Sequence, residues 1–325
     1  MMKQKRTSFL YLSRKDVASV PIVTAELISE VGRCLAEVAE GEAIQFPSHI
    51  MPVSETSRFV VKSGLIRNPS ICGVKWFGYF PRNSEINLPD FHPMIMLNEA
   101  EQGMPVAILD GTWISEIRTA AISAFAAKHL ALPTSSSLGF VACGAQALAH
   151  LNILKDVFCI KKIFAYSRRV ATASEFCRKA EAMELTTEIC VSPQAVLEQA
   201  SIIITSVPQA SETNLQLRGD AVASGTFISM VDRGYSWNSE SLLSLDVVIT
   251  DDMSLSGPGG MEEINFDAQH LAGDLIAVAR GELARRAYSD RIALIFSGPG
   301  IIDTAIASLI YKRASEMNIG VTMPL

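Results

Sequence analysis

No run of apolar residues in this 325-residue chain approaches membrane-spanning length, so a helical membrane protein is not expected. Cysteine is sparse and scattered. Its six residues, Cys34, Cys72, Cys143, Cys159, Cys177 and Cys190, form no CxxC, which argues against a disulfide framework and for reduced, buried thiols. The five histidines, His49, His92, His129, His150 and His270, form no HExxH or paired-ligand spacing, so no structural metal is expected. GxSxG and Walker loops are missing too, which removes support for nucleophilic hydrolases and nucleoside triphosphatases. Charge of one sign is equally lacking: 28 Lys and Arg against 34 Asp and Glu give a net charge of −6 with no blocks, hence no footprint for nucleic acid. The opening MMKQKRTSFLYLSRKDV is basic but carries no long apolar region and no small-residue cleavage site. A secretory signal is therefore not expected, and a cytoplasmic protein is. With 49% apolar and 19% charged residues, the remainder reads as a globular chain of two domains.

What is present centres on SLGFVACGAQALAHL, residues 137–151, followed by KKIFAYSRR, residues 161–169. These read as a buried strand, a tight turn, a helix and a second strand. A dinucleotide-binding turn needs small residues where the backbone closes, approaches the pyrophosphate and packs helix on sheet. Ala142, Gly144 and Ala147 hold those positions, a degraded AxGxxA. Backbone amides around Gly144, Ala145 and Gln146 would face the phosphates at the positive end of the helix. An ordinary strand-to-helix turn is the alternative. At the end of the second strand, where an acid would bond ribose hydroxyls, stand Ser167, Arg168 and Arg169. Serine plus guanidinium suits a ribose phosphate, which favours NADP and leaves NAD as the alternative; two solvated surface arginines would look the same.

Along the chain, Pro21 opens a helical pattern with Val23, Leu27, Ile28, Val31, Leu35 and Val38 on one face, ended by Gly41. Strand-like runs GVKWFGYF, MIMLNE and PVAILDG follow, the last two joined at Gln102–Gly103, and predict an antiparallel first-domain sheet. An alanine-rich helix, RTAAISAFAAKHLA, leads into strands at 138–142, 163–167, 187–191, 202–207, 226–231 and 246–251, with helices between. This alternation predicts a doubly wound, mostly parallel sheet of Rossmann type beside a smaller α+β domain. The closing GIIDTAIASLIYKRASEM reads as a long amphipathic helix returning to the first domain. Lys75 interrupts the apolar run GVKWFGYF; it is placed either to bind a substrate carboxylate or assist proton transfer, or simply to reach water from an edge strand.

The order VKWFGYFPRN, LPDFHPMIMLNEAEQGMPVAILDG, EIRTAAISAFAAKHLA, VACGAQALAH resembles the ornithine cyclodeaminase/mu-crystallin family. The likeness runs from FLYLSRKDV to GIIDTAIASLIYKRA. It implies a homodimer in which residues 1–118 and 304–325 form a substrate-binding and dimerisation domain and 119–303 a dinucleotide-binding domain. By the same resemblance, Lys75 contacts a substrate carboxylate, and Arg118 and Thr119 lie at the cofactor phosphates. Gly144, Ala145 and Gln146 form the turn, Thr205, Ser206 and Val207 a cofactor-facing strand end, and His92 falls near the nicotinamide.

Two departures bear on the reaction. The aspartate essential to cyclodeaminases aligns with Gly234 in GTFISMVDRG, with Asp232 two positions earlier, and Ser48 stands where an arginine usually binds carboxylate, leaving Arg58 or Arg67 to compensate. The resemblance then implies an NADP-dependent imine reductase or amino-acid dehydrogenase working at a C–N bond of an amino or cyclic imino acid, with Lys75 and Asp232 as the candidate catalytic pair. An amino-acid cyclodeaminase releasing ammonia and a non-catalytic, mu-crystallin-like NADPH-binding protein are the alternatives.

Overall fold

The structure, a computed structural model, describes residues 7–208, 215–256 and 264–325; the first six residues of the basic opening lie outside them. The chain divides into two compact units, Met1–Arg118 with Pro299–Leu325, and Thr119–Gly298. It re-enters the first unit at Pro299, ahead of residue 304, because the final helix starts there.

The first unit begins with β1 (Ser8–Leu12) and α1 (Arg14–Ser19), which Ser13 and Asp16 hold with a reciprocal capping box. In α2 (Thr24–Ala39), Leu27, Ile28, Val31, Cys34 and Leu35 are buried, the one-sided stripe that the spacing predicts. Next come β2 (Ala43–Gln45), β3 (His49–Pro52), β4 (Arg58–Ile66), β5 (Ile71–Tyr79), β6 (Phe91–Glu99) and β7 (Pro105–Asp110). The chain leaves along α3 (Thr112–Leu130), whose alanines 120, 121, 124, 126 and 127 are fully buried.

The second unit alternates β8 (Ser137–Val141), α4 (Ala145–Val157), β9 (Lys162–Tyr166), α5 (Val170–Glu181), β10 (Thr186–Ile189), α6 (Pro193–Gln199), β11 (Ile202–Thr205) and β12 (Phe227–Met230). It continues through β13 (Val247–Thr250), α7 (Met253–Ser256), β14 (Gly273–Asp274), α8 (Leu275–Ala279) and β15 (Ile292–Ile295). The chain then returns to the first unit as α9 (Gly300–Glu316) and β16 (Val321–Pro324).

The sheet of the second unit is parallel throughout, in the order β10-β9-β8-β11-β12-β15-β13-β14. Its central strands β8, β11, β12, β15 and β13 are buried with little or no alternation, as strands covered on both faces must be, while the edge strand β10 (TTEI) is polar. The chain is thus a Rossmann-type doubly wound protein with a second α/β unit. The strand Ile292–Ile295, unread in the sequence, enters between β12 and β13.

In the first unit the order is β16-β1-β7-β6-β5-β4-β2, with β3 also on β4. β4 to β7 pair antiparallel as expected, but β1 runs parallel to β7. The sheet is therefore mixed, a correction to the antiparallel expectation. α9 corrects a second expectation, since it is buried nearly all round rather than amphipathic. It packs against β4, β5 and α2. Glycine makes this approach feasible: a Cβ on Gly64 would lie 2.7 Å from Ile301 Cα, and one on Gly73 only 2.4 Å from Thr304 Oγ1.

Candidate functional site

Alternation along β5 turns Ile71, Gly73 and Lys75 to the face under α9. Lys75 is thereby 2% exposed, a charged group in a position that an apolar residue would normally fill. Its Nζ donates to Asp303 Oδ1 on α9 at 2.7 Å. The guanidinium of Arg118, on α3 in the same unit, brings Nε within 3.2 Å of that oxygen without the alignment of a hydrogen bond. Arg118 Nη1 and Asp303 Oδ2 are both buried and have no hydrogen-bond partner among the described residues. Two cations thus share one carboxylate, with donors left over.

Electrostatics follow from that arrangement. Burial pushes the Lys75 ammonium down to about 7, with Arg118 and Lys62 adding to the fall and Asp303 opposing it. Burial works to raise the Asp303 carboxyl, but Arg118 and Lys75 together hold it below the usual carboxylate range. Such a cluster can bind an anion and can hold or release a proton at Lys75 Nζ near neutrality.

His92 occupies the other side of the same sheet. It is exposed on β6, three positions from Ile95, the register partner of Lys75, and so points away from the Lys75 face. Ser48 is buried, Arg58 lies over the Tyr79 ring at 4.8 Å, and Arg67 approaches Glu42 at 3.8 Å on the surface.

In the second unit, the turn after β8 opens into a cavity of about 210 Å³. Ala142, Cys143 and Gly144 line it, with Ser167, Arg168 and Arg169 beyond β9, and Ser206, Val207 and Pro208 beyond β11. This is the carboxyl end of the parallel strands, where doubly wound folds take ligands. A Cβ on Gly144 would meet nothing within 4 Å, so the backbone there is open to a close approach. Gly144 also stands at the N-cap of α4 with no side-chain cap, leaving first-turn amides available. Ala145 and Gln146 form that first turn, and Gln146 Oε1 is buried with no hydrogen-bond partner among the described residues. Ala142 adopts φ +75°, a left-handed conformation that the residue type resists. Arg168 and Arg169 are exposed, and no acidic side chain among the described residues lines the cavity. The donor set therefore fits a dinucleotide carrying an additional phosphate. Burial pushes the Cys143 thiol up to about 12, so it is no nucleophile.

The remaining sequence-derived residues of this unit form a buried network beside the cavity. Asp232 accepts from Thr205 Oγ1 at 3.0 Å, Ser236 Oγ at 2.7 Å, and the amides of Val207 and Gly234 at 3.3 Å each. Trp237 Nε1 donates to Thr205 Oγ1 at 3.2 Å. Thr205 turns its side chain into this network rather than into the cavity, while Ser206 and Val207 line the cavity itself. Burial pushes the Asp232 carboxyl up against the pull of its donors. Thr119 is buried on α3.

Sequence reading missed Asp303 and Lys62. Each carried a signal: one acid inside the apolar run GIIDTAIASL, and one lysine at an inward position of RFVVKSGLI.

Residues 9–318 match the model of the ornithine cyclodeaminase/mu-crystallin family. The chain is 29% identical over 326 residues to an alanine dehydrogenase of Archaeoglobus fulgidus, covering 96% of this chain and 97% of that protein. A solved structure of Thermococcus litoralis Delta(1)-pyrroline-2-carboxylate reductase, in complex with NADH and L-proline, matches with TM-score 0.86 at 25% identity, over 96% of this chain and 99% of the other. An archaeal alanine dehydrogenase dimer with bound NAD shares the fold, with TM-score 0.85 at 22% identity over 98% and 99% of the two chains.

Proposed function

Because the chain belongs to the ornithine cyclodeaminase/mu-crystallin family, we propose that it is an NADP-dependent oxidoreductase acting at the C–N bond of an amino or imino acid. The observation that carries this reading is the buried pair Lys75 and Arg118 on one carboxylate, with Arg118 Nη1 left unpartnered. A substrate carboxylate would supply the missing acceptor for that donor.

The second unit takes the dinucleotide at the turn of Gly144, Ala145 and Gln146, with Ser206 and Val207 as the opposite wall. Ser167, Arg168 and Arg169 select the ribose phosphate, because they offer donors where an acid would repel it. When bound there, reduced nicotinamide supplies the hydride that turns an imine carbon into an amine carbon. Arg118 holds the carboxylate, and Lys75 Nζ gives its proton to the imine nitrogen. Asp232 keeps the strand end that carries Ser206 and Val207 in place; both of its oxygens are engaged by donors. Gly234 offers no side chain for the ammonia-releasing step of a cyclodeaminase.

The protein acts as a homodimer. The face of the first sheet turned away from α9 exposes Tyr11, Trp76, Met94 and Met96, each between 37% and 43% exposed, and a second copy would cover it.

The test is turnover. Purified protein should consume NADPH with a panel of cyclic ketimines and keto-acid/amine mixtures, at lower KM than with NADH. NADPH binding without oxidation by any imine would replace the reductase with a non-catalytic binding protein.

A further inference from the structure

Three polar side chains meet in the interior of the second unit, each inside an otherwise apolar stretch: Ser123 in ISAF of α3, His150 in LAHL of α4 and Ser229 in FISM of β12. All three are fully buried. Ser229 Oγ lies 2.8 Å from Ser123 Oγ, Ser123 Oγ lies 2.8 Å from His150 Nε2, and His150 Nδ1 lies 2.7 Å from the backbone oxygen of Gln146. Alanine, leucine and valine would fill these positions without burying a polar group, and a buried polar chain is favourable only when every member is satisfied.

One arrangement of hydrogens satisfies this chain. Burial pushes the imidazole down to about 4, with the Gln146 carbonyl opposing the fall, so near neutrality the ring carries a single proton. A carbonyl oxygen can only accept, which puts that proton on Nδ1 and leaves Nε2 as an acceptor. Ser123 then donates to Nε2, and Ser229 donates to Ser123. The chain has one direction and ends on Gln146 O.

That end point lies in the first turn of the helix that opens the cavity. The peptide is planar, so fixing the C=O of Gln146 also fixes the N–H of Ala147 in the same unit, aimed out of the N-terminus of α4. Leu148 N is paired with Gly144 O at 3.2 Å, whereas the amides of Ala145, Gln146 and Ala147 come before the point at which an intrahelical carbonyl can serve them. Such amides are what a helix N-terminus offers to a phosphate, and Gly144 lines the cavity there. At the other end of the chain, Ser123 stands one turn beyond Thr119 on the same helix, its Oγ 3.2 Å from Thr119 O.

We propose that His150 is a positioning residue for the cofactor: held by Ser123 and Ser229, it fixes the Gln146–Ala147 peptide so that the first-turn amides of α4 meet the pyrophosphate of the dinucleotide. The inference rests on the dinucleotide reading above and adds to it a residue that touches neither cofactor nor substrate.

Calorimetric titration of wild type, His150→Leu and His150→Asn with two ligands tests it: NADPH, and adenosine 2′-monophosphate, which carries the additional phosphate but no pyrophosphate. In His150→Leu the Ser123 hydroxyl can turn to Thr119 O, so no donor is stranded. That variant should bind NADPH about three- to tenfold more weakly and adenosine 2′-monophosphate as wild type does. His150→Asn, whose side-chain amide can donate to the same carbonyl, should recover most of the loss. Equal losses for the two ligands would make His150 a packing residue of the whole unit and overturn the inference, as would unchanged NADPH affinity in His150→Leu. Nitrogen-15 spectra of wild type need no substitution: Nδ1 should be the protonated nitrogen, and its signal should move with NADPH but not with adenosine 2′-monophosphate. A ring protonated on Nε2, or a signal indifferent to NADPH, overturns the proposal even where the variants fail to fold. If wild type binds neither ligand, the dinucleotide reading falls and this inference with it.

Discussion

Lys75 Nζ and Asp303 Oδ1 meet at 2.7 Å across 228 positions of sequence, with both side chains 1% exposed. Removing one partner of a buried ion pair strands the other, at a cost of about 3–5 kcal/mol. Asp303→Asn is therefore expected to destabilise the protein by about that amount, because Arg118 would keep its buried charge with no counter-charge beside it, and Lys75, without the carboxylate that opposes the fall, would give up its proton to be buried neutral. Asp303→Asn with Lys75→Met should recover part of the loss. Urea denaturation with a constant slope checks both; a single variant as stable as wild type would show that the pair contributes nothing.

The same pair sets a pH dependence. Burial places the Lys75 ammonium at about 7, below its ordinary 10.5, so its protonated fraction falls as pH rises through about 7. With Nζ as the proposed proton donor, kcat/KM for the imine should fall on the alkaline side of about 7. Lys75→Arg, which stays protonated, should remove that limb while lowering kcat. Folding responds in the opposite sense. A depressed lysine leaves the unfolded chain binding more protons between about 7 and 10.5, so this group's contribution makes stability rise with pH across that window. A flat kcat/KM profile through neutrality would separate Lys75 from the proton.

Particular residues show how much of this was legible in the chain. The Rossmann half could be read because strands covered on both faces are continuous apolar runs, and because the small residues at Ala142, Gly144 and Ala147 mark the turn where such a run meets a helix. Lys75 was visible as a charge inside an apolar strand. Asp303 was not joined to it, since nothing local connects a helix at the end of the chain with a strand in its first third. Strand order was hidden for a related reason. Leu294 sits beside Ser229 on one side and Ile249 on the other, yet each strand's composition is the same whichever neighbour it has. The parallel pairing of β1 with β7 likewise left no mark, because alternation of buried and exposed side chains does not encode direction.

The proposed cofactor choice rests on two exposed side chains. Arg168 and Arg169 line the cavity that Gly144 opens, and Ser167 stands where an acid would discriminate against phosphate. Charge-assisted hydrogen bonds of this kind correspond to roughly 10- to 100-fold in affinity. Changing both arginines to alanine should weaken NADPH binding by that factor and leave NADH nearly unchanged, read as Kd by fluorescence titration. Equal losses for both dinucleotides would assign the arginines to the shared pyrophosphate instead.

Ala142 holds a backbone shape that glycine would adopt without strain. At φ +75° its Cβ crowds the following carbonyl, a conformation that costs about 1–2 kcal/mol in an L-residue other than glycine. Glycine loses more freedom on folding, which offsets roughly 0.5–1 kcal/mol of the relief. Ala142→Gly should thus stabilise the protein by a few tenths to about 1 kcal/mol. Ala142→Val, with a branched Cβ in the same region, should destabilise it by more than that. Because the turn is held by Ala142 N donating to Tyr166 O at 2.9 Å, the glycine variant is expected to keep the cavity and bind NADPH as wild type does. Chemical denaturation and dinucleotide titration of the two variants read the two effects separately. A glycine variant less stable than wild type would mean that the methyl group, through its packing in the turn, outweighs the strain it imposes.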